Sequence, residues 1–309
     1  MREHFLTLKS NLELSSTFAK SIETRHNAIR AYLGNNHPEY KDSKLIGSLQ
    51  RKTRIHPGQG GKFDIDIIVV VGSCYGWVPV GGVHPQEALD KLHQTILDSD
   101  LYAQKNPIQD APTVTLTYDD GIQIQLVPAL IDMAGHDQWG NQLGSIGRGY
   151  WVVKNGTWQM ADYDHEAEYI TEQNELSFGY LVPVIKMLKA VKRIYFPELE
   201  SFPLEIIAAN IITLSVLIKK TNNTPIHYRD LVLEFFEQAP IQFLSPIKIP
   251  NSKSAPIILD AVTIASLTNK FNKIASHIRV INTISAETKS AEAWRLLFGE
   301  HFPLTLPTI

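Results

Sequence analysis

The feature that most constrains this chain is an apolar run that carries two aspartates. The run reads FDIDIIVVVG over residues 63–72, and its β-branched residues are typical of a buried strand. Asp64 and Asp66 are two positions apart, so their side chains leave the same face of that strand. Buried carboxylates are costly unless they are paired or bind metal, so the pattern predicts a functional site.

A Gly47-Ser48 pair precedes the first of these aspartates, with fifteen residues between Ser48 and Asp64. A turn of small residues lets backbone amides approach phosphate oxygens, and a serine adds a hydroxyl donor. Two carboxylates on one strand face suit Mg²⁺ or Mn²⁺. Because nucleotidyl transfer mainly requires a positioned and neutralised polyphosphate, the combination predicts a site for a metal-bound nucleoside triphosphate.

The remaining patterns divide the chain into two parts. Residues 5–33 and 85–98 have helical spacing, and the runs VTLTYDD and GIQIQLVPALI predict two strands joined at Asp119-Asp120-Gly121, which is typical of a hairpin. Later residues are mostly helical, with helices predicted over 164–195, 204–219, 227–238, 256–282 and 291–298. We therefore predict an α/β (α+β) fold with a first lobe over residues 1–160 and a helical lobe over residues 161–309.

Composition narrows the classes of function. Against 32 acidic side chains the chain has 29 basic ones, a net charge of −3 that argues against a stable complex with long nucleic acid. Its one cysteine, Cys74, cannot form an internal disulfide, which favours the cytoplasm. The most apolar run, Leu204 to Ile218, is interrupted by Glu205 and is too short to cross a bilayer, so it is predicted to be a buried helix and not a membrane span.

The order of these blocks resembles the polymerase-β-like nucleotidyltransferases and, over most of the chain, the bacterial CD-NTases, which are cyclic GMP-AMP synthase-like and oligoadenylate-synthetase-like enzymes of anti-phage signalling. Besides the Gly-Ser pair and the aspartate strand, the blocks are TLTYDDGIQIQLVPAL, GTWQMADYDHEAEYITEQN, VPVIKMLKAVKR, SFPLE and AWRLLFGEHFP. The resemblance implies a palm lobe with a mixed β-sheet packed against a C-terminal helical lobe. It also implies Mg²⁺-dependent synthesis of a cyclic or short linear oligonucleotide second messenger from nucleoside triphosphates.

Three further residues are candidates for binding the triphosphate. The resemblance implies that Lys186 and Ser201 contact phosphates. Lys186, Lys189 and Arg193 also form one basic stripe at helical spacing, which is either a solvated surface or a phosphate site. Ser201 is equally suited to capping the helix that follows it.

One position departs from the family pattern. Family members carry a third acid on the strand before Leu-Val-Pro, where this chain has Gln125. An amide offers only a neutral oxygen ligand and cannot act as a base. Three accounts stay open: an active enzyme with two acids, a natural nucleotide binder without turnover, or an engineered replacement of an acid.

The alternatives for function follow from this departure. One is a nucleotide-binding regulator that controls a partner effector protein, and another is a nucleotidyltransferase that modifies RNA or protein. A purely structural role would leave Asp64 and Asp66 in an apolar strand without an explanation.

Overall fold

A mixed β-sheet occupies the first half of the protein, where the sequence predicted strands. The computed structural model describes residues 1–58, 61–75, 78–133 and 149–306. Its strands are β1 (Asp42–Leu45), β2 (Phe63–Tyr75), β3 (Val78–Pro79), β4 (Ile108–Asp110), β5 (Thr113–Thr117), β6 (Ile122–Asp132), β7 (Tyr150–Lys154) and β8 (Thr157–Ala161). The strand predicted at FDIDIIVVVG is confirmed as β2, and β5 and β6 form the predicted antiparallel hairpin.

Two long parallel strands, β2 and β6, form the centre of the sheet. The register pairs Asp64 with Gln123 and Asp66 with Gln125. Strand β1 joins the free edge of β2 in the antiparallel sense, while β5 and then β4 extend the sheet beyond β6. Strands β7 and β8 form a second hairpin against the end of β6. A parallel pair needs a crossover, and the helix at residues 85–97 lies within that connection.

Helices make up most of the remaining structure. They are α1 (Arg2–Asn11), α2 (Ser16–Asn36), α3 (Gly47–Gln50), α4 (Pro85–Leu97), α5 (Asp100–Ala103), α6 (Tyr163–Leu176), α7 (Leu181–Tyr195), α8 (Ser201–Thr221), α9 (Tyr228–Gln242), α10 (Ala261–Asn282) and α11 (Glu287–Phe298). The prediction of one helix over 164–195 is wrong, because the chain turns between α6 and α7. Phe178 and Gly179 have φ angles of 52° and 78° there, which a continuing α-helix does not allow. Helix α10 begins later than predicted, since the Asp260 side chain caps it.

The helices and the sheet bury separate hydrophobic cores. Strands β2, β5 and β6 pack their apolar face against α2 and α4, whereas α7 to α11 surround a core of their own. Helix α1 belongs to the core formed by the helices α7 to α11, here called the second core. The Phe5 ring lies edge-on to Trp294, with 4.9 Å between centroids. The opening helix of the predicted first lobe therefore packs with the helical lobe. Residues 134–148 and 307–309 of the two predicted lobes lie outside the described residues.

Helix α8 is the apolar run that the sequence analysis judged too short for a membrane. At 21 residues and a mean hydropathy of 1.9 it is long and apolar enough to cross one, so that estimate of length is wrong. However, 67% of its most apolar window is buried inside the protein. The predicted buried helix is confirmed, and the charged side chain of Glu205 lies within it, fully buried.

Candidate active site

The two aspartates of β2 lie on the face of the sheet opposite α2 and α4. Their neighbours Phe63, Ile65 and Ile67 point into the core beneath the opposite face, as strand alternation requires. Gln125 pairs in register with Asp66 on the adjacent parallel strand, so its partly buried side chain emerges beside that carboxylate. Asp64 and Asp66 therefore share one face of the sheet, as predicted, and the side-chain amide of Gln125 lies on the same face.

The Gly47-Ser48 turn touches this face. Gly47 has a φ of 67°, and a Cβ atom added to it would lie 2.4 Å from Oδ2 of Asp66. The backbone amide of Ile46 donates to the carbonyl oxygen of Asp66 at 3.0 Å, which fixes the turn against β2. Only glycine combines this backbone conformation with so close an approach of the carboxylate. The turn and the aspartates thus converge, as the sequence predicted.

A cavity of 340 Å³ opens over the turn and the aspartates. Four of its lining residues are Gly47, Ser48, Asp64 and Asp66, and Lys189 and Ser201 close it from the helical side. Among the residues that the structure describes, six cations line the cavity: Arg51, Arg54, Lys62, Lys189, Lys192 and Arg193. Against them stand two lining carboxylates, so the site as a whole attracts a polyanion such as a triphosphate.

Two predicted site residues do not line this cavity. Lys186 is buried, and its ammonium group donates to the carboxylate of Glu13 at 2.5 Å. Lys189, three positions later on α7, lies in the cavity instead. Residues three positions apart lie on the same side of an α-helix, about 60° from each other, and this offset separates the ends of the two lysines. Lys186 contacts Glu13 and does not line the cavity, whereas Lys189 and Arg193 of the predicted stripe do. Gln125, also outside the lining, lies next to Asp66 in register.

Ser201 lies at the cavity and does not cap its helix. It is the first residue of α8, whereas Glu200 occupies the N-cap position, with no hydrogen bond from a capping side chain. The alternative of a capping role for Ser201 is therefore wrong. Its place among the lining residues fits a hydroxyl donor to an anion.

A buried ionic cluster, which the sequence analysis missed, holds two of the cavity cations. Glu205 of α8 accepts from Nε of Arg51 at 2.8 Å and from Nζ of Lys189 at 2.6 Å. Burial alone would raise the pKa of Glu205, but the two cations outweigh it and hold the pKa at about 2. Both cations are therefore anchored by an ionised carboxylate.

The cluster connects the sheet side of the cavity with the helical side. Nζ of Lys189 also donates to the carbonyl oxygen of Thr53 at 3.0 Å. The guanidinium of Arg51 lies 4.7 Å from the ring centroid of Phe202 and 3.8 Å from a carboxylate oxygen of Glu166. These contacts tie the segment after α3 to α6, α7 and α8. They fix the relative position of the two walls of the cavity.

A sequence signal for Glu205 was available. It is an acid within an apolar run, which is the same pattern that marked Asp64 and Asp66, and buried acids need a partner. Arg51, Arg54 and Lys62 carry no such signal, because isolated basic residues in a loop are typical of solvated surface. Only the fold brings them to the cavity.

The electrostatics of the aspartates fit a divalent cation. Burial first, and then the charge of Asp64, raise the pKa of Asp66 to about 6, although Arg51 and Lys189 oppose this. Burial also raises the pKa of Asp64. Among the described residues no group of three His, Cys, Asp or Glu side chains could hold a metal ion. Two carboxylates are nevertheless a suitable donor set for Mg²⁺, which completes its shell with substrate phosphates and water.

A family model matches residues 1–174, more than half of the chain. It describes the Second Messenger Oligonucleotide or Dinucleotide Synthetase (SMODS) domain. The match includes the turn, both aspartates and Gln125.

Comparisons over the full length agree with this match. The chain is 24% identical to a cyclic AMP-AMP-AMP synthase from an Acinetobacter strain, over 98% of this chain and 85% of that protein. It superposes on E. coli CdnC in a complex with HORMA-deltaN with a TM-score of 0.70 at 14% identity, covering 98% of each chain. For the Bradyrhizobium diazoefficiens CD-NTase CdnG in complex with GTP the TM-score is 0.70 at 12% identity, over 97% of this chain and 95% of that one. These likenesses confirm the predicted fold.

Proposed function

The chain belongs to the second messenger oligonucleotide or dinucleotide synthetase family, and from that premise we propose that it joins nucleoside triphosphates into a cyclic or short linear oligonucleotide in anti-phage signalling. Membership confirms the predicted resemblance to bacterial CD-NTases and the predicted enzyme class, a nucleotidyltransferase. The observation that carries the proposal is the cavity in which a carboxylate pair and a glycine-serine turn face anchored cations.

The residues of the cavity divide the work of nucleotidyl transfer between them. Asp64 and Asp66 would hold Mg²⁺ or Mn²⁺, which supplies charge neutralisation at the phosphates. The amides and hydroxyl of Gly47-Ser48, together with Lys189, hold the donor triphosphate. An acceptor ribose hydroxyl then attacks the α-phosphate: the new P–O bond forms, the bond from the α-phosphorus to the bridging oxygen of the β-phosphate breaks, pyrophosphate leaves, and the hydroxyl proton passes to solvent water.

Gln125 limits how the attacking hydroxyl loses its proton. An amide cannot take up that proton at neutral pH, and as a ligand it offers only its carbonyl oxygen. Gln125 lies beside Asp66, and the resemblance implies a third acid at its position. With two acids in place we expect turnover that is slow but measurable.

The test is to incubate pure protein with labelled nucleoside triphosphates and Mg²⁺ or Mn²⁺, and to look for phosphatase-resistant products. The proposal predicts such products from the protein and their loss in Asp64→Asn. Label in added tRNA or in protein, without a small product, would contradict it and would favour the RNA- or protein-modifying alternative.

A second candidate function is a nucleotide-binding regulator without turnover, and Gln125 is the observation that favours it. Tight triphosphate binding with no product from the protein, but product from Gln125→Asp, would establish this candidate. A regulatory or effector protein as partner is a further proposal. The complex of E. coli CdnC with HORMA-deltaN supports it. We also propose that the protein acts in the cytoplasm as two lobes, residues 1–160 and 161–309, with the nucleotides between them.

A further inference from the structure

A second cavity, of 470 Å³, lies in the helical part of the protein. It is bounded by α1, by the connection between α6 and α7, and by the start of α9. It shares none of its lining residues with the cavity that holds the aspartates. Its volume lies in the range of small-molecule sites in proteins, which is about 300–1,000 Å³.

Aromatic rings form one wall of this second cavity. The rings of Tyr180 and Tyr228 lie 5.4 Å apart between centroids, and they join the start of α7 to the start of α9. Phe178 stands at the rim with 61% of its surface exposed. Its φ of 52° is in the left-handed region, which is uncommon for a residue other than glycine. The ammonium group of Lys220 lies over this ring, 4.9 Å from its centroid, so the fold holds a largely exposed aromatic ring with a cation on one face, in a conformation that is costly to adopt.

Another part of the cavity wall carries cations. Arg2 and Lys9 are exposed on α1, two turns apart on the same face of the helix, and Arg229 comes from α9. No Asp or Glu is among the described residues that line the cavity. Arg229 has a carboxylate oxygen of its neighbour Asp230 at 3.3 Å, whereas Arg2 and Lys9 form no ion pair with any described residue. The charge of this wall is therefore available to an anion.

We propose that the second cavity binds a small molecule with a planar ring and a phosphate group, of the nucleotide class. The base would stack at the rim on the face of the Phe178 ring that Lys220 does not cover, beside the Tyr180–Tyr228 pair, and the phosphate would lie against Arg2, Lys9 and Arg229. Stacking on aromatic side chains and pairing with cations are the two contacts by which proteins hold nucleotides without reading their sequence. This inference does not rest on the catalytic proposal.

The experiment uses 8-azido-ATP as a photo-crosslinking probe, with EDTA present and the labelled peptides identified by mass spectrometry. We expect label within residues 178–180 or 226–229, competed by unlabelled ATP, and unchanged in Asp66→Asn. A dinucleotide competitor in a parallel arm tells a free mononucleotide from an oligonucleotide as the preferred ligand.

Variants of the cavity decide the outcome. Phe178→Ala should reduce labelling there by at least about fivefold, since one stacked base is worth on the order of 1 kcal/mol or more. Arg229→Glu should also reduce it, because a carboxylate replaces a cation beside the phosphate. Leu176→Ala is the matched control: it is 50% exposed, lies two residues before Phe178 and does not line the cavity, so labelling should persist. Label confined to peptides of the aspartate cavity, or label at 178–180 that survives both cavity variants, overturns the proposal. Phe178 is exposed, so its variant tests the site even if Arg229→Glu fails to fold.

Discussion

Each of the two cavities has a pair of cations, and the two pairs are held in opposite ways. At the aspartate cavity, Arg51 and Lys189 are buried and both contact the carboxylate of Glu205. At the second cavity, Arg2 and Lys9 are exposed and have no ion pair with any described residue. A buried cluster fixes the position of each charge but leaves uncompensated charges when one member is removed. Exposed cations are screened by water and salt, so each contributes little to stability.

The largest expected effect is that of Glu205→Gln. Removal of this charge leaves two buried cations without their shared partner, so the free energy of unfolding should fall by about 3–5 kcal/mol. Product formation should fall with it, because Lys189 loses its anchor. Urea denaturation measures the first effect. Glu198→Gln, which removes the partly exposed partner of Lys270, is the matched control and should cost at most about 1 kcal/mol. Equal losses in the two variants would remove the contrast between buried and exposed pairs.

Acid should weaken the buried cluster in a defined range of pH. The pKa of Glu205 is lowered from its ordinary value of 4.5 to about 2. Because this pKa is lower in the folded state, ionised Glu205 stabilises the protein fully above pH 4.5. That stabilisation is lost as the pH falls toward about 2. The difference corresponds to about 3 kcal/mol. Between pH 6 and pH 2, the free energy of unfolding should fall more steeply for the unaltered protein than for Glu205→Gln. Parallel curves for the two proteins would contradict the lowered pKa of Glu205.

Asp66→Asn should separate catalysis from stability. We expect a loss of product of about a hundredfold or more, as for other groups that stabilise charge in a transition state. Burial and Asp64 both disfavour the charge of Asp66, so the neutral amide should leave the melting temperature unchanged or raise it. Product assays and thermal denaturation of the same preparation measure both. A variant that melts lower and keeps its activity would make Asp66 a structural residue.

Gly47→Ala should disturb the turn at the aspartates. The new methyl group would lie 2.4 Å from Oδ2 of Asp66, and the φ of 67° is unfavourable for alanine. A cost of about 1–3 kcal/mol in stability is expected, with reduced triphosphate binding in a titration. Gly156→Ala is a control with the same kind of strain, since Gly156 has a φ of 73° and open space around it. Its triphosphate binding should be normal.

The smallest effect is expected from the exposed cations of the second cavity. Lys9→Ala should change the free energy of unfolding by no more than about 0.5 kcal/mol, because the side chain is exposed and unpaired among the described residues. Urea denaturation measures it. A loss as large as that of Glu205→Gln would show that Lys9 belongs to a hidden ionic cluster, and the comparison between the cavities would fail.

The sequence was most informative where local pattern and fold agree. Strand alternation predicts the shared face of Asp64 and Asp66, and glycine chemistry predicts the turn at Gly47, because both depend on neighbouring residues. The ionic cluster could not be predicted in this way, since Arg51 and Glu205 are 154 residues apart in the chain. Whether Lys186 or Lys189 reaches the cavity depends on the rotation of α7 about its axis relative to the sheet, and helical spacing alone does not give that rotation. The place of α1 in the second core depends on its contact with Trp294, at the other end of the chain.

A crystal soaked with Mg²⁺ and a non-hydrolysable ATP analogue tests the central claim most directly, namely that one cavity between the sheet and the helices holds a metal-bound triphosphate. We predict phosphate density between Ser48 and Lys189, with a metal ion in contact with both Asp64 and Asp66. The account would be contradicted if the analogue occupied only another part of the protein, or if the two carboxylates pointed away from its phosphates.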